Sequence, residues 1–126
     1  MAFLWKEIYK ISNVEIDSQH REIFKKANLF LNAIDKASLT LSAMEFFKHT
    51  REHFNYEESL MLEISYPERV THVQQHNELI KRLNDVAASI ASDSLNRKDL
   101  ELFLKEWLLN HIRIDDTKLS AFISNE

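Results

Sequence analysis

The chain contains no glycine, no cysteine and a single proline, Pro67. Sheet proteins built from many short strands rely on glycine for their turns and hairpins, so this lack argues for long helices and few loops. Without cysteine there are no disulfides and no thiolate metal sites, and the redox compartment stays open. No apolar run approaches the ~20 residues of a membrane helix. The opening stretch, Met1 to Lys10, is interrupted by Lys6 and Glu7 and makes a poor secretory signal. Net charge is only −4, with no long block of one sign, which gives no reason to expect nucleic acid or an anionic membrane as partner. What is present is ordinary for a globular protein: 126 residues, 44% hydrophobic and 29% charged. The expectation is one soluble, cytoplasmic domain.

Apolar residues recur at helical spacing in four segments. The first runs from about Ser18 to Lys36, with Ile16, His20, Ile23, Phe24, Ala27, Leu31 and Ile34 in phase and Asp17 placed as an N-cap. The second runs from about Leu41 to Ile64. One stripe there carries Leu41, Met44, Phe47, Phe54 and Met61; its neighbour carries Phe46, His49, His53, Glu57, Leu60 and Ile64. Pro67 suits the first turn of a third helix that reaches about Ala91. Its inward residues are Val73, His76, Leu79, Ile80, Leu83, Val86, Ala87 and Ile90. The fourth starts near Arg97 and turns Leu100, Leu104, Trp107, Leu108 and His111 inward. Short connections make successive helices antiparallel neighbours. The fold expected is therefore all-α: an up-down-up-down four-helix bundle over residues 17–126, with residues 1–16 as an extended N-terminal arm, all in one domain.

Polar residues interrupt these apolar stripes. Residues four apart on a helix lie about 6 Å apart along the axis and about 40° apart around it. His53 and Glu57 have that spacing, as do His72 and His76, so each pair can aim two donor atoms at one point. His20 and His111 face inward on the two remaining helices. Burying an unpaired imidazole or carboxylate costs several kcal/mol, and a bound metal removes that penalty. Nitrogen and oxygen donors without thiolate suit iron or manganese, and imidazole-rich sites also take zinc or copper. Spacing leaves His49–His53 as good a chelating pair as His53–Glu57. Glu58 is disfavoured, being about 100° around the helix from Glu57.

Asp116 follows His111 by five residues, about 140° around a regular helix. The apolar register slips at the same place: Leu104, Trp107, Leu108 and His111 share one phase, while Ile112, Asp116, Leu119 and Ile123 share another. A π-bulge or local unwinding after His111 would turn Asp116 inward.

Taken together, these stretches resemble the hemerythrin family in its bacterial single-domain form, along essentially the whole chain. The resemblance rests on Ile16-Asp17-Ser18-Gln19-His20, on His53-Phe54-Asn55-Tyr56-Glu57-Glu58 followed by Leu60-Met61, and on Tyr66-Pro67 followed by His72 and His76. Trp107-Leu108-Leu109-Asn110-His111-Ile112 and Asp116 complete it. One departure is that Ile11 to Asn13 lack the glycine common in the family's arm. The resemblance implies two irons bridged by an oxo or hydroxo group. His72, His76 and His111 would bind one iron and His20 and His53 the other, with Glu57 and Asp116 bridging. It separates His53 from His49 and makes dioxygen the partner, at the open position of the two-histidine iron. Ile23, Phe54, Trp107, Leu108, Ile112 and Ile114 would line a dry pocket there.

The function expected is reversible dioxygen binding for storage, delivery or scavenging, not enzymatic turnover. A sensor would normally carry a fused output domain, although sensing through a separate partner is an alternative. A di-iron oxidase, a peroxidase or a nitric-oxide-handling enzyme is a second class. Against it, no histidine here has the glutamate three residues earlier that ferritin-like oxidases use. A metal-free or single-zinc helical module is a third class, but one zinc takes about four ligands and would leave several of the seven unexplained. The identity of any protein partner is not legible.

Overall fold

The computed structural model describes residues 14–108, 110–111 and 116–124. Five helical segments lie among them: α1 (Val14–Asn32), α2 (Lys36–Glu63), α3 (Arg69–Ala91), α4 (Arg97–Glu106) and α5 (Asp116–Ser124). No strand occurs among the described residues. The first four pack as an up-down-up-down bundle, and α5 follows α4 in the chain. Most of the expected N-terminal arm, and the sequence departure at Ile11 to Asn13, lie outside the described residues. Among the described residues no helix is long and apolar enough to cross a membrane.

The helix ends show how a chain without glycine makes its corners. Asp35 stands in extended conformation before α2, and its Oδ1 accepts from the Ser38 backbone N–H at 2.8 Å. Asn96 does the same for α4, its Oδ1 accepting from the N–H groups of Lys98 and Asp99 at 2.9 and 3.2 Å. Each cap satisfies donors that the first turn leaves unpaired. At the C-terminal ends, Ser65 and Asp93 take left-handed φ values of 55° and 58°. After α2 the Tyr66 N–H reaches Met61 O at 2.9 Å and the Ser65 N–H reaches Leu62 O at 3.3 Å. After α3 the pattern repeats, Ser94 N–H to Ser89 O at 2.8 Å and Asp93 N–H to Ile90 O at 3.1 Å. Both are Schellman closures, a job normally left to glycine.

These caps correct several sequence-based boundaries. Asp17 does not cap α1, which begins at Val14; Asp17 lies buried inside its first turns. Because Asp35 starts α2, α1 stops at Asn32, and Ile34 falls in the connection, 86% exposed. Pro67 stands two residues ahead of α3, in a turn closed by Arg69 N–H to Tyr66 O at 3.2 Å. The early start of α2 also sets its buried face. Leu39, Ala43, Phe46 and Thr50 are buried there, while Leu41 and Met44, expected inward, are 63% and 64% exposed. Ala87 on α3 is likewise exposed.

The main core joins Ile23, Phe24, Ala27 and Phe30 of α1 to Phe46 and Phe54 of α2, Leu83 and Ile90 of α3, and Leu100, Phe103 and Leu104 of α4. Trp107 and Leu108 close it next to α4. A smaller cluster forms at the other end from Met61 of α2, Tyr66, and Leu119 of α5, with Ile64, Val73, Phe122 and Ile123 against it. Between the two apolar clusters sits a layer of polar side chains.

Candidate metal centre

Five of the six histidines meet in that layer, with two carboxylates. Each comes from a different stretch of backbone. His20 lies early in α1; His53 and Glu57 occupy successive turns late in α2; His72 and His76 do so at the start of α3. Trp107, Leu108, Asn110 and His111 follow α4 in a widened, π-type turn. Asp116 is the first residue of α5, whose Leu119 is buried in the smaller apolar cluster. The stretch after His111, where the bulge or unwinding was expected, lies outside the described residues; the π-type turn that is present takes in Trp107, Leu108, Asn110 and His111. Trp107 and His111 both stay buried through it, and α5 starts with Asp116 facing inward. All seven residues are buried.

The donor atoms fall into two overlapping groups, each with its atoms within 4.8 Å of one another. One comprises His72, His76, His111, Glu57 and Asp116; the other comprises His20, His53, Glu57 and Asp116. Glu57 Oε1 lies 3.1 Å from His76 Nε2, 3.6 Å from His72 Nε2 and 3.3 Å from both His111 Nε2 and His53 Nε2. Asp116 Oδ2 is 2.7 Å from His20 Nε2, 3.4 Å from His53 Nε2 and 3.3 Å from His111 Nε2. Its Oδ1 is 3.1 Å from His72 Nε2. The carboxylates therefore stand between the two histidine groups.

Electrostatics show what such a cluster demands. Burial presses Glu57 toward its neutral form, but the charge of His53 and the imidazoles of His111, His72 and His76 facing it outweigh that. The Glu57 carboxyl is held well below the usual range. Burial and Glu57 likewise push Asp116 up, yet His111, His20 and His53 hold it below its ordinary value. For His72, burial opposes the charged form, and Asp116 and Glu57 overcome it, raising the pKa to about 10. Burial prevails at His76, whose pKa is lowered. Two buried anions thus recruit positive charge from an imidazole. Even so, Glu57 Oε2, His72 Nε2 and Asp116 Oδ1 remain buried without a hydrogen-bond partner. Orphaned lone pairs converging on one place, from nitrogen and oxygen donors, fit a cation of the iron, manganese or zinc type.

Two residues that sequence reading left out of the site bear on it. Gln19 Oε1 accepts from His53 Nδ1 at 2.9 Å, while the Gln19 amide nitrogen donates to Glu15 at 3.0 Å. Glu58 Oε2 accepts from His76 Nδ1 at 2.9 Å. An acceptor on Nδ1 fixes the ring tautomer and leaves the Nε2 lone pair aimed into the cluster. The only signals for them were adjacency: Gln19 precedes His20, and Glu58 follows Glu57. Thr50, on the same face one turn before His53, is buried with its hydroxyl unpartnered. His49 lies outside the cluster, with a side chain 25% exposed and 3.8 Å from Glu45.

Of the residues expected to line the dry pocket, Ile23, Phe54, Trp107 and Leu108 are buried in the main core. Ile112 and Ile114, also expected in the pocket, lie outside the described residues. Phe54 stacks on the His76 ring, with centroids 3.8 Å apart and planes 5° from parallel. Trp107 packs at 5.8 Å from Phe54 and 5.7 Å from Phe46. An aromatic wall therefore runs from the apolar core to the edge of the cluster.

Comparison with known proteins agrees with this arrangement. Residues 13–123 match the hemerythrin HHE cation-binding domain. The bacteriohemerythrin of Stenotrophomonas maltophilia is 32% identical over 120 residues, covering 92% of this chain and 78% of that protein. A hemerythrin polypeptide of Sipunculus nudus is 28% identical over 121 residues, covering 96% of this chain and 93% of that protein. A crystal structure of a hemerythrin point mutant superposes with a TM-score of 0.85 at 20% identity, covering 96% of this chain and 97% of that one. That likeness bears on the four-helix fold.

Proposed function

The chain belongs to the hemerythrin HHE cation-binding family, and from that premise we propose that it binds dioxygen reversibly at a pair of iron ions. The observation that carries this reading is the pair of overlapping donor groups sharing Glu57 and Asp116. His72, His76 and His111 would hold one iron, His20 and His53 the other, and Glu57 and Asp116 would serve both. When bound, the irons supply an open coordination position and two electrons for dioxygen. None of these relatives bears the name of an enzyme, in keeping with a binding role.

The protein's own part is to fix and insulate. The imidazoles are neutral donors, so the two carboxylates carry the compensating negative charge in a buried place. Gln19 and Glu58 hold His53 and His76 in the tautomer that presents Nε2. Ile23, Phe54, Trp107 and Leu108 exclude water from the two-histidine side. Reversible binding needs that exclusion, because water and spare protons would drive off a reduced oxygen species irreversibly.

Metal analysis followed by anaerobic reduction and re-exposure to air, observed by visible absorption, tests the proposal. The expected result is about two irons per chain and an oxygenated spectrum that reverses when oxygen is removed. Peroxide consumption over many turnovers would favour an enzyme, and one metal or none would defeat the reading. His53→Ala should lose metal while His49→Ala keeps it.

A further inference from the structure

In each proposed metal position a histidine has a side-chain hydrogen-bond acceptor behind it, and these two acceptors differ in charge. Behind His76, in the three-histidine group, stands the Glu58 carboxylate at 2.9 Å. Behind His53, in the two-histidine group, stands the Gln19 amide oxygen at the same 2.9 Å. The geometries match and the chemistries do not. A carboxylate draws the Nδ1 proton toward itself and makes the opposite nitrogen a more basic donor; a neutral amide orients the ring with little such effect. The pairing is also held in place differently. Gln19 is committed by its second bond to Glu15, so its oxygen faces His53 and its nitrogen cannot. Glu58 reaches His76 from a side chain 34% exposed, one position off the inward face that Glu57 occupies.

We infer that Glu58 and Gln19 are positioning residues that make the two metal positions unequal: Glu58 strengthens binding at the three-histidine position through His76, and Gln19 orients His53 without strengthening the two-histidine position. This inference rests on the two-metal reading above and adds to it a source of asymmetry outside the ligands. The position that never opens to a guest is given the stronger donor. The position that must accept and release a guest is given a weaker one, which leaves its metal more electron-poor.

The test uses Co2+ as probe, because its visible bands report coordination without dioxygen chemistry. Stepwise Co2+ titration of the full chain against a competing chelator gives separate dissociation constants for the tighter and the weaker step. Glu58→Gln keeps an acceptor for His76 but removes its charge. It should weaken the tighter step about 10-fold, the lower range for loss of such a partner, and leave the weaker step within about 2-fold. Gln19→Glu, made together with Glu15→Gln so that the helix pair keeps one donor and one acceptor, should strengthen the weaker step. Neither change touches the apolar core, and an unchanged helical circular dichroism spectrum before metal addition confirms folding. A Glu58→Gln protein whose two steps both match the parent, or both weaken equally, overturns the inference while leaving two metals bound. A parent chain that takes up fewer than two Co2+ overturns the two-metal reading and this inference with it.

Discussion

The two ends of the bundle solve the same problem, polar groups brought close to a core, in opposite ways. At the end formed by the α1–α2 and α3–α4 connections, protein groups answer one another. Lys36 Nζ donates to Ala91 O at 3.1 Å and approaches Asp93 at 3.3 Å. Arg97 donates to Leu31 O and Ala33 O across the connection. Asp35 and Asn96 cap the helices that start there. At the other end, carboxylates face imidazoles across distances of 2.7 to 3.6 Å, and three buried polar atoms among Glu57, His72 and Asp116 have no hydrogen-bond partner. One end is complete in its own residues; the other needs a cation to be complete. Stability should therefore be metal-independent at the first end and metal-linked at the second.

Removing metal is the strongest way to test that contrast. A ligand at 1,000 times its dissociation constant stabilises a folded protein by about 4 kcal/mol. Chelation should lower the denaturant midpoint accordingly, and amide hydrogen exchange should place the loss around His72, His111 and α5. Equal loss of protection near Asp35 and Asn96 would erase the distinction.

Paired core substitutions sharpen it. Leu104 lies in the main core and Leu119 in the small cluster beneath Asp116, both fully buried. Each Leu→Ala change should cost about 3 kcal/mol of stability, within the usual 2–5 for a buried leucine. Leu119→Ala should in addition weaken metal binding, because α5 is seated by that side chain and Asp116 begins α5. Leu104→Ala should leave metal affinity within about 2-fold. A reversed pattern would mean that Asp116 is positioned from α4 and not from the small cluster.

The same contrast explains what could be read before the fold was seen. The seven residues that the structure brings together stood out in the sequence because a histidine or carboxylate on an apolar stripe is conspicuous, although spacing alone did not separate His53 from His49. The boundaries were less legible. With no glycine to mark the ends, Ser65 and Asp93 close helices as ordinary polar residues, and Asp35 looks like any other acid. Missing the Asp35 cap moved the start of α2 by more than one turn. The exposed Leu41 and Met44 then looked as fit for the core as Leu39 and Ala43, since hydrophobicity alone does not choose between neighbouring faces of a long helix. Gln19 and Glu58 stand in the motifs, with Glu58 set aside as a ligand, but neither was picked out as a hydrogen-bond partner, for a further reason. Their role depends on which ring nitrogen of a histidine they reach, and that is a property of packing rather than spacing.

The left-handed corners offer a smaller, stabilising change. An ordinary residue in this conformation costs roughly 1–2 kcal/mol, part of which glycine gives back through its greater chain entropy. Ser65→Gly, at the metal end, should raise stability by up to about 1 kcal/mol in chemical denaturation. Asp93→Gly should gain less, because it also deletes the Lys36 partner. Equal gains would show that the Lys36–Asp93 pair contributes nothing to the far end.

The smallest effect concerns the Asp35 cap and its dependence on pH. The Ser38 backbone N–H, then the Ser38 hydroxyl, hold the Asp35 carboxyl below its ordinary value of 3.8. A folded-state pKa below the unfolded one means the ionised cap adds stability above about pH 3.8, and that this is lost as pH falls through the lowered value. Asp35→Asn keeps a good capping oxygen but does not titrate. The difference in denaturation midpoint between parent and variant should therefore be steady from neutral pH down to pH 4 and then shift toward the variant. Taking this difference removes the acid response of Glu57 and Asp116, which both proteins share. A flat difference through the acid range would show that the charge of Asp35 adds nothing to its cap, leaving the acid response of this fold to other groups, Glu57 and Asp116 first.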